Sequence, residues 1–310
     1  MTQHESCRDS VLHALALWSV PGIGPRTYGR IVTKFGSAEN VLKAPMEQLR
    51  KCGLLSGAVR AGIRRARERL GETARVLQTL HRRGVSIAEA TSPNYPAALR
   101  LLKDGPALMF ALGRSELADG MGVAIVGTTR PSLRGATIAE ELAARIAAAG
   151  RCVVSGYAHG IDTAAHLGAL RAGGSTVLVV PTGILAFRWR GAFRWVGGLA
   201  ERTLVLSEQP PWAGWASAGA IARNRLIVAL SRAVVFVETL ARPAAVQTFR
   251  RARESGRVVY VVQYRRAPRS AAGNETMVRM GGVPVRCFAD VERILAECDT
   301  APAAQRAFDW

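Results

Sequence analysis

The sequence contains few cysteines and no cysteine pair. Five of its 310 residues are cysteines, an odd number, and no two of them are spaced as C-x-x-C. They are Cys7, Cys52, Cys152, Cys287 and Cys298. This pattern excludes the disulfide framework of a small secreted domain and the paired thiolates of a structural zinc site. The cysteines therefore predict neither a cross-linked fold nor a metal site.

Long apolar runs are also missing. No stretch reaches the roughly 18 consecutive apolar residues that a membrane-spanning helix requires. The first ten residues, MTQHESCRDS, lack the basic and then apolar segments of a secretory signal peptide. We therefore expect a soluble, cytoplasmic protein with no membrane partner.

Acidic residues are scarce relative to basic ones. The chain has 42 lysines and arginines against 23 aspartates and glutamates, which gives a formal net charge of +19. Such an excess favours a polyanionic partner, and nucleic acid is the commonest one. The alternative is an arginine-rich product of a high-GC genome, whose charge reflects codon usage and no ligand.

The chain divides into four parts by its residue pattern. Residues 1–72 show short helical patterns without strand-like alternation and predict a small all-helical domain. Residues 73–120 carry turn signals and predict a connector. In residues 121–298, β-branched apolar runs alternate with glycines and amphipathic helices, which predicts a doubly wound, mostly parallel, Rossmann-like α/β sheet with VPVRCF as an edge strand. Residues 299–310 are predicted to be a tail.

Three predicted strand-to-helix junctions carry residues suited to binding an anion. Glycine permits close backbone approach, helix N-termini attract anions, and arginine donates paired hydrogen bonds to phosphate. In a doubly wound sheet, such junctions meet at the carboxyl ends of the strands, so Arg130 and Arg223 are expected to be exposed there. The residues are Gly127, Thr128, Arg130 and Ser132 after the first strand, Ser155, Gly156, His159 and Gly160 after the second, and Arg223, Asn224 and Arg225 at a later helix start.

The patterns of catalysis and of cofactor binding are missing at these junctions. The first turn reads GTTRPS, not G-x-G-x-x-G, which argues against a dinucleotide cofactor. Ser155 does not stand in a G-x-S-x-G elbow. His166 follows Asp162 by four residues and is a candidate base, although a packing role is the commoner one for such a histidine. His159 and His166 lack further zinc ligands at suitable spacing. We expect no catalytic residue, cofactor or metal, and interpret these junctions as an anion-binding surface.

A second candidate phosphate contact lies in the helical part. The stretch SVPGIGPRTYGRIV has the form of a helix-hairpin-helix, in which Gly22 and Gly24 allow a tight hairpin with exposed N–H groups. Arg26 adds a positive charge at the start of the following helix. The alternative, which the sequence leaves equally open, is that the two glycines only join packed helices.

The strand-end residues also resemble those of a known family. The segment VAIVGTTRPSLRGATIAEELAARIAAAGRCVVSGYAHGIDTAAHLGALRAGGSTVLVVPTG is similar to the central domain of the DNA-processing protein A (DprA/Smf) family, as are LSEQPP, ARNRLIVALSRAVVFVE and SAAGNETMVRMGGVPV. The resemblance implies a Rossmann-like domain that binds single-stranded DNA without a nucleotide cofactor. It further implies DNA protection in natural transformation, loading of the RecA recombinase and a homodimer. By position, the strand-binding pocket is implied to include Gly127, Arg130, Gly156, Arg223, Asn224 and Arg225.

The chain departs from the family pattern in several places. Residues TLARPAA follow Glu238 where the family usually has glycine, serine and threonine, and Gln263-Tyr264 replaces a Pro-Gly pair. The Tyr-Pro element expected after Gly183 is missing, and ILAFRWRGAFRWVGG stands there. We predict that Trp189 and Arg190 take over its role, with the tryptophan stacking on bases. For the second half of this segment, an alternative is a buried amphipathic helix that packs Trp195, Val196 and Leu199 on the sheet. A C-terminal winged-helix domain is not expected.

Two other functions remain open from the sequence. A phosphoribohydrolase of nucleoside monophosphates would carry P-G-G-x-G-T-x-x-E, and the nearest string, RMGGVPV, lacks the threonine and the glutamate. A nucleotide-sensing module on the same fold is the other alternative. The prediction is a non-enzymatic single-stranded DNA-binding protein that acts as a recombination mediator.

Overall fold

The computed structural model describes residues 3–120 and 122–300, with side chains described for 10–120 and 122–296. Fifteen α-helices are described in these ranges. They are α1 (Gln3–Trp18), α2 (Pro25–Phe35), α3 (Ala38–Lys43), α4 (Met46–Lys51), α5 (Gly57–Glu68), α6 (Leu70–Arg82), α7 (Ala97–Arg100), α8 (Leu133–Ala148), α9 (Ile161–Arg171), α10 (Leu199–Arg202), α11 (Ser217–Ala222), α12 (Asn224–Ala229), α13 (Pro243–Glu254), α14 (Asn274–Arg279) and α15 (Asp290–Thr300).

One sheet of nine strands forms the centre of the protein. The strands are β1 (Val85–Glu89), β2 (Leu108–Gly113), β3 (Gly122–Val126), β4 (Val153–Ser155), β5 (Thr176–Val179), β6 (Thr203–Ser207), β7 (Ser231–Phe236), β8 (Val258–Val262) and β9 (Val283–Val285). Their order is β1-β2-β6-β5-β4-β3-β7-β8-β9. Strands β3 to β9 are parallel, whereas β1 and β2 pair antiparallel with each other and β2 pairs antiparallel with β6. The predicted mostly parallel α/β fold is confirmed, including the edge strand β9.

The apolar strands are buried because helices cover both faces of the sheet. Val123 and Ile125 of β3 point into a core with α8, α9 and α15, while Ala124 points into a second core with α12 and α13. Alternate residues of a strand face opposite sides, so a strand buried on both sides needs a nearly continuous apolar run. The sequence of β3, GVAIV, is such a run.

The strand order reverses beside β3. From β3 the chain steps through β4 and β5 to β6 on one side, and from β7 through β8 to β9 on the other. In doubly wound sheets, a crevice opens at the carboxyl ends of the two strands between which the direction changes. Here these strands are β3 and β7, so the segments that follow them are the expected place for a ligand.

The sheet begins earlier in the chain than the sequence predicts. Strands β1 and β2 both lie within 73–120, the segment interpreted as a connector, and β2 joins the sheet directly beside β6. Helix α6 crosses the expected boundary at residue 72. Strands β1 and β2 pair antiparallel with each other, so the parallel α/β alternation that reveals the other strands does not extend to them.

The helical part and the sheet share one core. Leu15 of α1 and Ile31 of α2 belong to the same buried cluster as Leu178 of β5 and Val205 of β6. The Trp18 indole donates a hydrogen bond to the Glu208 carbonyl (2.8 Å) and contacts the Tyr28 ring edge to face, with centroids 5.7 Å apart. Because these contacts are buried, the helices are held against the sheet and do not form a separately tethered unit.

Of the predicted tail at 299–310, residues 301–310 lie outside the described residues. Among the helices that are described, none combines the length and the apolar character needed to cross a membrane.

The hairpin between α1 and α2 separates the roles of its two glycines. Gly22 has φ +89°, and a Cβ there would lie 2.9 Å from Val59 Cγ2, whereas a Cβ at Gly24 would meet open space. We therefore expect Gly22→Ala to lower the free energy of unfolding by about 1 kcal/mol or more, and Gly24→Ala to leave it nearly unchanged. Urea denaturation of both variants measures this, and equal stabilities would contradict the assignment.

Candidate nucleic-acid interface

Five segments meet at the carboxyl ends of β3 to β7, and we call this surface the carboxyl edge. They are residues 127–133, 156–162, 180–190, 208–223 and 237–243. The turns after β3 and β4 are in direct contact, because the Ile161 N–H donates to the Thr128 carbonyl (3.2 Å). A Cβ at Gly160, which has φ +76°, would lie 2.7 Å from Pro131 Cδ. The structure thus brings the two predicted glycine turns together.

A buried carboxylate occupies the N-terminus of α8. Glu238 follows β7, and its carboxylate accepts hydrogen bonds from the Ser132 N–H (2.8 Å) and the Ser132 hydroxyl (2.5 Å). The Ser132 hydroxyl in turn caps the helix by accepting from the Gly135 N–H (3.0 Å). A Cβ at Gly135 would overlap the Glu238 carboxylate. The protein therefore supplies its own anion at the position where a dinucleotide-binding fold holds a phosphate.

Arg223 is buried, and the expectation that it is exposed at a strand end is wrong. Only 5% of this residue is accessible to solvent. Its guanidinium donates to the Gly156 carbonyl (2.8 Å) and lies 3.8 Å from the Asp162 carboxylate. Burial raises the pKa of the Asp162 carboxyl, and the Arg223 charge and the Ala158 N–H offset part of that shift. A Cβ at Gly156 would overlap the guanidinium, so glycine here leaves the room that Arg223 occupies.

Arg225 is likewise buried, and its fork is filled by protein groups. Both terminal nitrogens donate to the Glu208 carboxylate, at 2.6 and 2.5 Å, and one of them also donates to the Asp104 carbonyl (3.0 Å). The half-buried Asn224 donates to the Thr248 hydroxyl (3.1 Å). The three polar residues predicted at this helix start therefore fix loops to one another, because each has a partner inside the fold.

The candidate catalytic groups are buried and have internal partners. The Ser155 hydroxyl donates to the Ile125 carbonyl (2.6 Å) and is not exposed. The His166 ring is fully buried with Nδ1 2.7 Å from the Thr176 hydroxyl. Burial, and then the charges of Arg223 and Arg190, lower the pKa of His166 to about 3. Within the described side chains, no three His, Cys, Asp or Glu residues are grouped as metal ligands.

The first two junctions also present exposed polar groups. Arg130 and His159 are exposed, and Thr128 and Ser132 are half-buried. The Arg130 N–H donates to the Thr128 hydroxyl (3.2 Å), which fixes the backbone but leaves the guanidinium facing solvent. Of the predicted arginines at strand ends, Arg130 is therefore the one placed to meet a ligand.

The segment that replaces the family's Tyr-Pro element forms an aromatic cluster around Tyr157. Trp189 contacts the rings of Tyr157, Phe187 and Phe193 with centroids 5.0 to 6.2 Å apart, and 38% of it remains exposed. The Arg190 guanidinium lies 4.3 Å from the centre of the Tyr157 ring. Edge-to-face and cation–π contacts of this kind hold the rings in place.

Tyr157 is a residue that the sequence reasoning missed. It has φ +56°, a left-handed conformation that is rare for a tyrosine and indicates backbone strain. Its hydroxyl accepts a hydrogen bond from the Arg190 N–H (2.7 Å), which ties the turn after β4 to the segment after β5. Its place within SGYAHGID, between two glycine positions, is the sequence signal that could have drawn attention to it.

The alternative of a buried helix for the second half of that segment is wrong. Residues 187–198 contain a single 3-10 turn, Gly191–Phe193, and no α-helix. Trp195 is 84% exposed and does not pack on the sheet, whereas Val196 and Leu199 are partly buried against the core that includes Leu178 and Val205.

The exposed charge of the carboxyl edge has one sign. Its five segments contain three acidic residues, and all three are buried with partners inside the protein, namely Asp162, Glu208 and Glu238. Its exposed arginines are Arg130, Arg188 and Arg242. The edge therefore presents a positive surface to solvent, because its acids are buried and have hydrogen-bond or ion-pair partners inside the fold.

The hairpin of the helical part lies beside this edge. A cavity of about 380 Å³ separates it from α11, α12 and α13. Arg26 and Gly24 line one wall, and Asn224 and Arg251 line the other. Gly22, Gly24 and Arg26 are all exposed.

Comparison with known proteins identifies the family. The sequence model described as DNA recombination-mediator protein A matches residues 86–298 of this chain. The chain belongs to this family. It is 30% identical over 224 residues to the DNA processing protein DprA of Bacillus subtilis, which covers 72% of this chain and 75% of that protein. It is 36% identical over 168 residues to DprA of Streptococcus pneumoniae, which covers 54% of this chain and 59% of that protein.

Two solved DprA structures share this fold. The X-ray structure of DprA from S. pneumoniae matches with a TM-score of 0.72 and 26% identity, over 91% of this chain and 97% of that chain. DprA from Helicobacter pylori, whose structure was described for its single-stranded DNA binding mode, matches with a TM-score of 0.59 and 27% identity, over 69% of this chain and 96% of that chain. The family assignment made from SGYAHGIDTAAH and its neighbours is confirmed.

The different contributions of Arg223 and Arg130 to stability can be tested by substitution. Arg223→Ala leaves the Asp162 carboxyl buried without its cation and should lower the free energy of unfolding by about 3 kcal/mol. Arg130→Ala removes an exposed side chain and should change it by less than about 0.5 kcal/mol. Urea denaturation followed by circular dichroism measures both. A wild-type stability for Arg223→Ala would show that the Asp162 contact does not support the fold.

Proposed function

We propose that this protein binds single-stranded DNA along the carboxyl edge and acts as a recombination mediator in DNA processing. The observation that carries the proposal is the one-signed edge, where the acids are buried and the exposed charges are basic. A DNA strand carries a negative charge at every phosphate, so such a surface attracts it without sequence preference. The family membership and the relatives named above support the same conclusion.

In this proposal, the exposed residues of the first two turns hold phosphates. Arg130 and His159 supply cationic donors, and Thr128 and Ser132 supply hydroxyls beside them. Gly127 and Gly160 permit the two turns to approach each other closely, which shapes the surface. Gly156, Ser155, Arg223, Asn224 and Arg225 act behind this surface, because their contacts are made inside the fold.

We assign base stacking after β5 to Trp189, with Arg190 as its support. The aromatic cluster fixes the Trp189 ring while part of it stays open to solvent. The Arg190 side chain also donates to the Thr163 hydroxyl (3.1 Å), so it positions the segment in addition to contributing charge. Gly22, Gly24 and Arg26 of the hairpin are proposed as further phosphate contacts for longer DNA.

Binding without catalysis fits the buried groups better than the two alternative functions. A base must reach the proton it takes, and His166 is sealed inside the fold with a depressed pKa. A bound nucleotide would place its phosphate at the N-terminus of α8, which Glu238 fills. We therefore propose no enzymatic activity and no nucleotide cofactor. We further propose the RecA recombinase and a second copy of this chain as partners, in the cytoplasm.

Binding measurements on the whole chain test the proposal. Labelled oligothymidine should bind more tightly than a duplex of equal length, since a duplex cannot turn its bases toward the edge. Affinity should fall steeply as salt rises, because each neutralised phosphate releases counterions. Fluorescence anisotropy at several salt concentrations measures both effects. Equal affinity for duplex, or a flat salt response, would remove support for the proposal.

A single exposed arginine should carry a measurable part of this affinity. Arg130→Ala should weaken oligothymidine binding by about 1–3 kcal/mol, the value of a charge-assisted hydrogen bond. The matched control is Arg279→Ala, because Arg279 is also exposed but ends α14, where the chain returns to the amino end of β9. Its affinity should stay close to wild type. Equal losses in the two variants would indicate general charge attraction and no site at Arg130.

A further inference from the structure

Two exposed tryptophans lie in the segment that follows β6. Trp212 is 51% exposed and Trp215 is 68% exposed. Among the described residues, neither indole makes a hydrogen bond or a ring contact, in contrast to Trp18 and Trp189. We call residues 208–216 the tryptophan loop. Large apolar side chains that are exposed together in one short loop indicate a binding surface more often than single, scattered ones do.

The backbone of the tryptophan loop is fixed. The Ala213 carbonyl accepts from the Gly183 N–H and the Pro211 carbonyl accepts from the Leu185 N–H, both at 2.8 Å. The Ala213 N–H closes a turn onto the Pro210 carbonyl (2.8 Å). Two successive prolines restrict the backbone further. The rings therefore project from a loop that is already ordered, so binding would not have to order the backbone.

The position of the loop relates it to the basic edge. The loop follows β6. In the sheet, β5, β4 and β3 come after β6 in that order, and His159 and Arg130 lie in the turns that follow β4 and β3. Three strand spacings separate β6 from β3, a distance of about 14 Å. The one acid of the loop, Glu208, is buried against Arg225. Exposed rings and exposed cations thus lie along one edge with no exposed carboxylate between them.

These observations select one kind of occupant. A nucleic-acid strand offers flat base faces and phosphates at regular intervals, and both indole rings and guanidinium groups bind them. A purely apolar protein partner would leave the arginines of the same edge unmatched. We propose that Trp212 and Trp215 form a second base-stacking platform, which extends the single-stranded DNA site from β3 to β6. This inference rests on the proposed function and adds its β6 side.

The experiment compares two ligands and four alanine variants of the full chain, with two phenylalanine variants as a further check. The ligands are labelled oligothymidine and an abasic oligomer of equal length, which retains the phosphates but has no bases. The variants are Trp212→Ala, Trp215→Ala, the double variant and, as a matched control, Trp195→Ala. Trp195 is more exposed than either of the two, yet it lies beside Arg171 of α9 and Arg202 of α10, where the chain leads into the amino ends of β5 and β6.

Each single variant should bind oligothymidine about 10-fold more weakly than wild type, and the double variant more weakly still. Binding of the abasic oligomer should be weaker than that of oligothymidine in wild type and should not change in any of these variants. Trp195→Ala should behave as wild type. Trp212→Phe and Trp215→Phe, which keep an aromatic face, should recover part of the affinity. Thermal unfolding should be unchanged throughout, because both rings are exposed.

The outcomes separate the two proposals. If wild type binds neither oligomer, the proposed function fails and the platform fails with it. If wild type binds oligothymidine and the double variant binds it equally well, the platform is overturned while DNA binding stands. A double variant with unchanged DNA affinity but a smaller assembly in analytical ultracentrifugation would assign the rings to a contact between copies of this chain and would also overturn the platform.

Discussion

The arrangement of the carboxyl edge depends on the contact between the Glu238 carboxylate and the first turn of α8. The backbone carbonyl of Glu238 accepts a hydrogen bond from the Thr128 N–H (2.7 Å), and the Glu238 side chain accepts hydrogen bonds from both the N–H and the hydroxyl of Ser132. Glu238, which follows β7, thus fixes the turn after β3. Because the helix N-terminus is satisfied from within, the turn keeps its shape in the absence of a ligand and leaves Arg130 directed outward.

The same principle recurs at the other two acids of this edge. Asp162 and Glu208 each lie against a buried arginine, and each pair joins segments that are distant in the sequence. Buried ion pairs contribute little net stability, since desolvation offsets their attraction, but breaking one leaves an uncompensated charge. Their main consequence is electrostatic: the acids are neutralised inside the fold and the remaining arginines define the surface. The exposed charge of this edge is in this way left entirely basic.

Apolar periodicity and glycine positions made most of the fold predictable. The runs of β3 to β8 and the helices between them lie where the sequence indicates, since strands buried on both sides cannot be written with polar residues. Strands β1 and β2 were missed because they pair antiparallel, and antiparallel strands do not need the long connecting helix that reveals the strands of a parallel sheet. At the site, Arg223 and Arg225 could not be distinguished from Arg130 by type or spacing. Whether an arginine faces water or a buried acid depends on Asp162 and Glu208, which reach it only through the folded sheet.

The contact between Gly156 and Arg223 also bears on how this chain can change over evolutionary time. The space that a side chain at 156 would need is taken by the guanidinium of a residue 67 positions further on. A larger residue at 156 therefore fits this packing only if the Arg223 guanidinium moves or residue 223 becomes shorter. Shortening residue 223 would leave the Asp162 carboxylate buried without its cationic partner. Three residues are consequently locked as a set, and the route to a different set passes through a less stable protein.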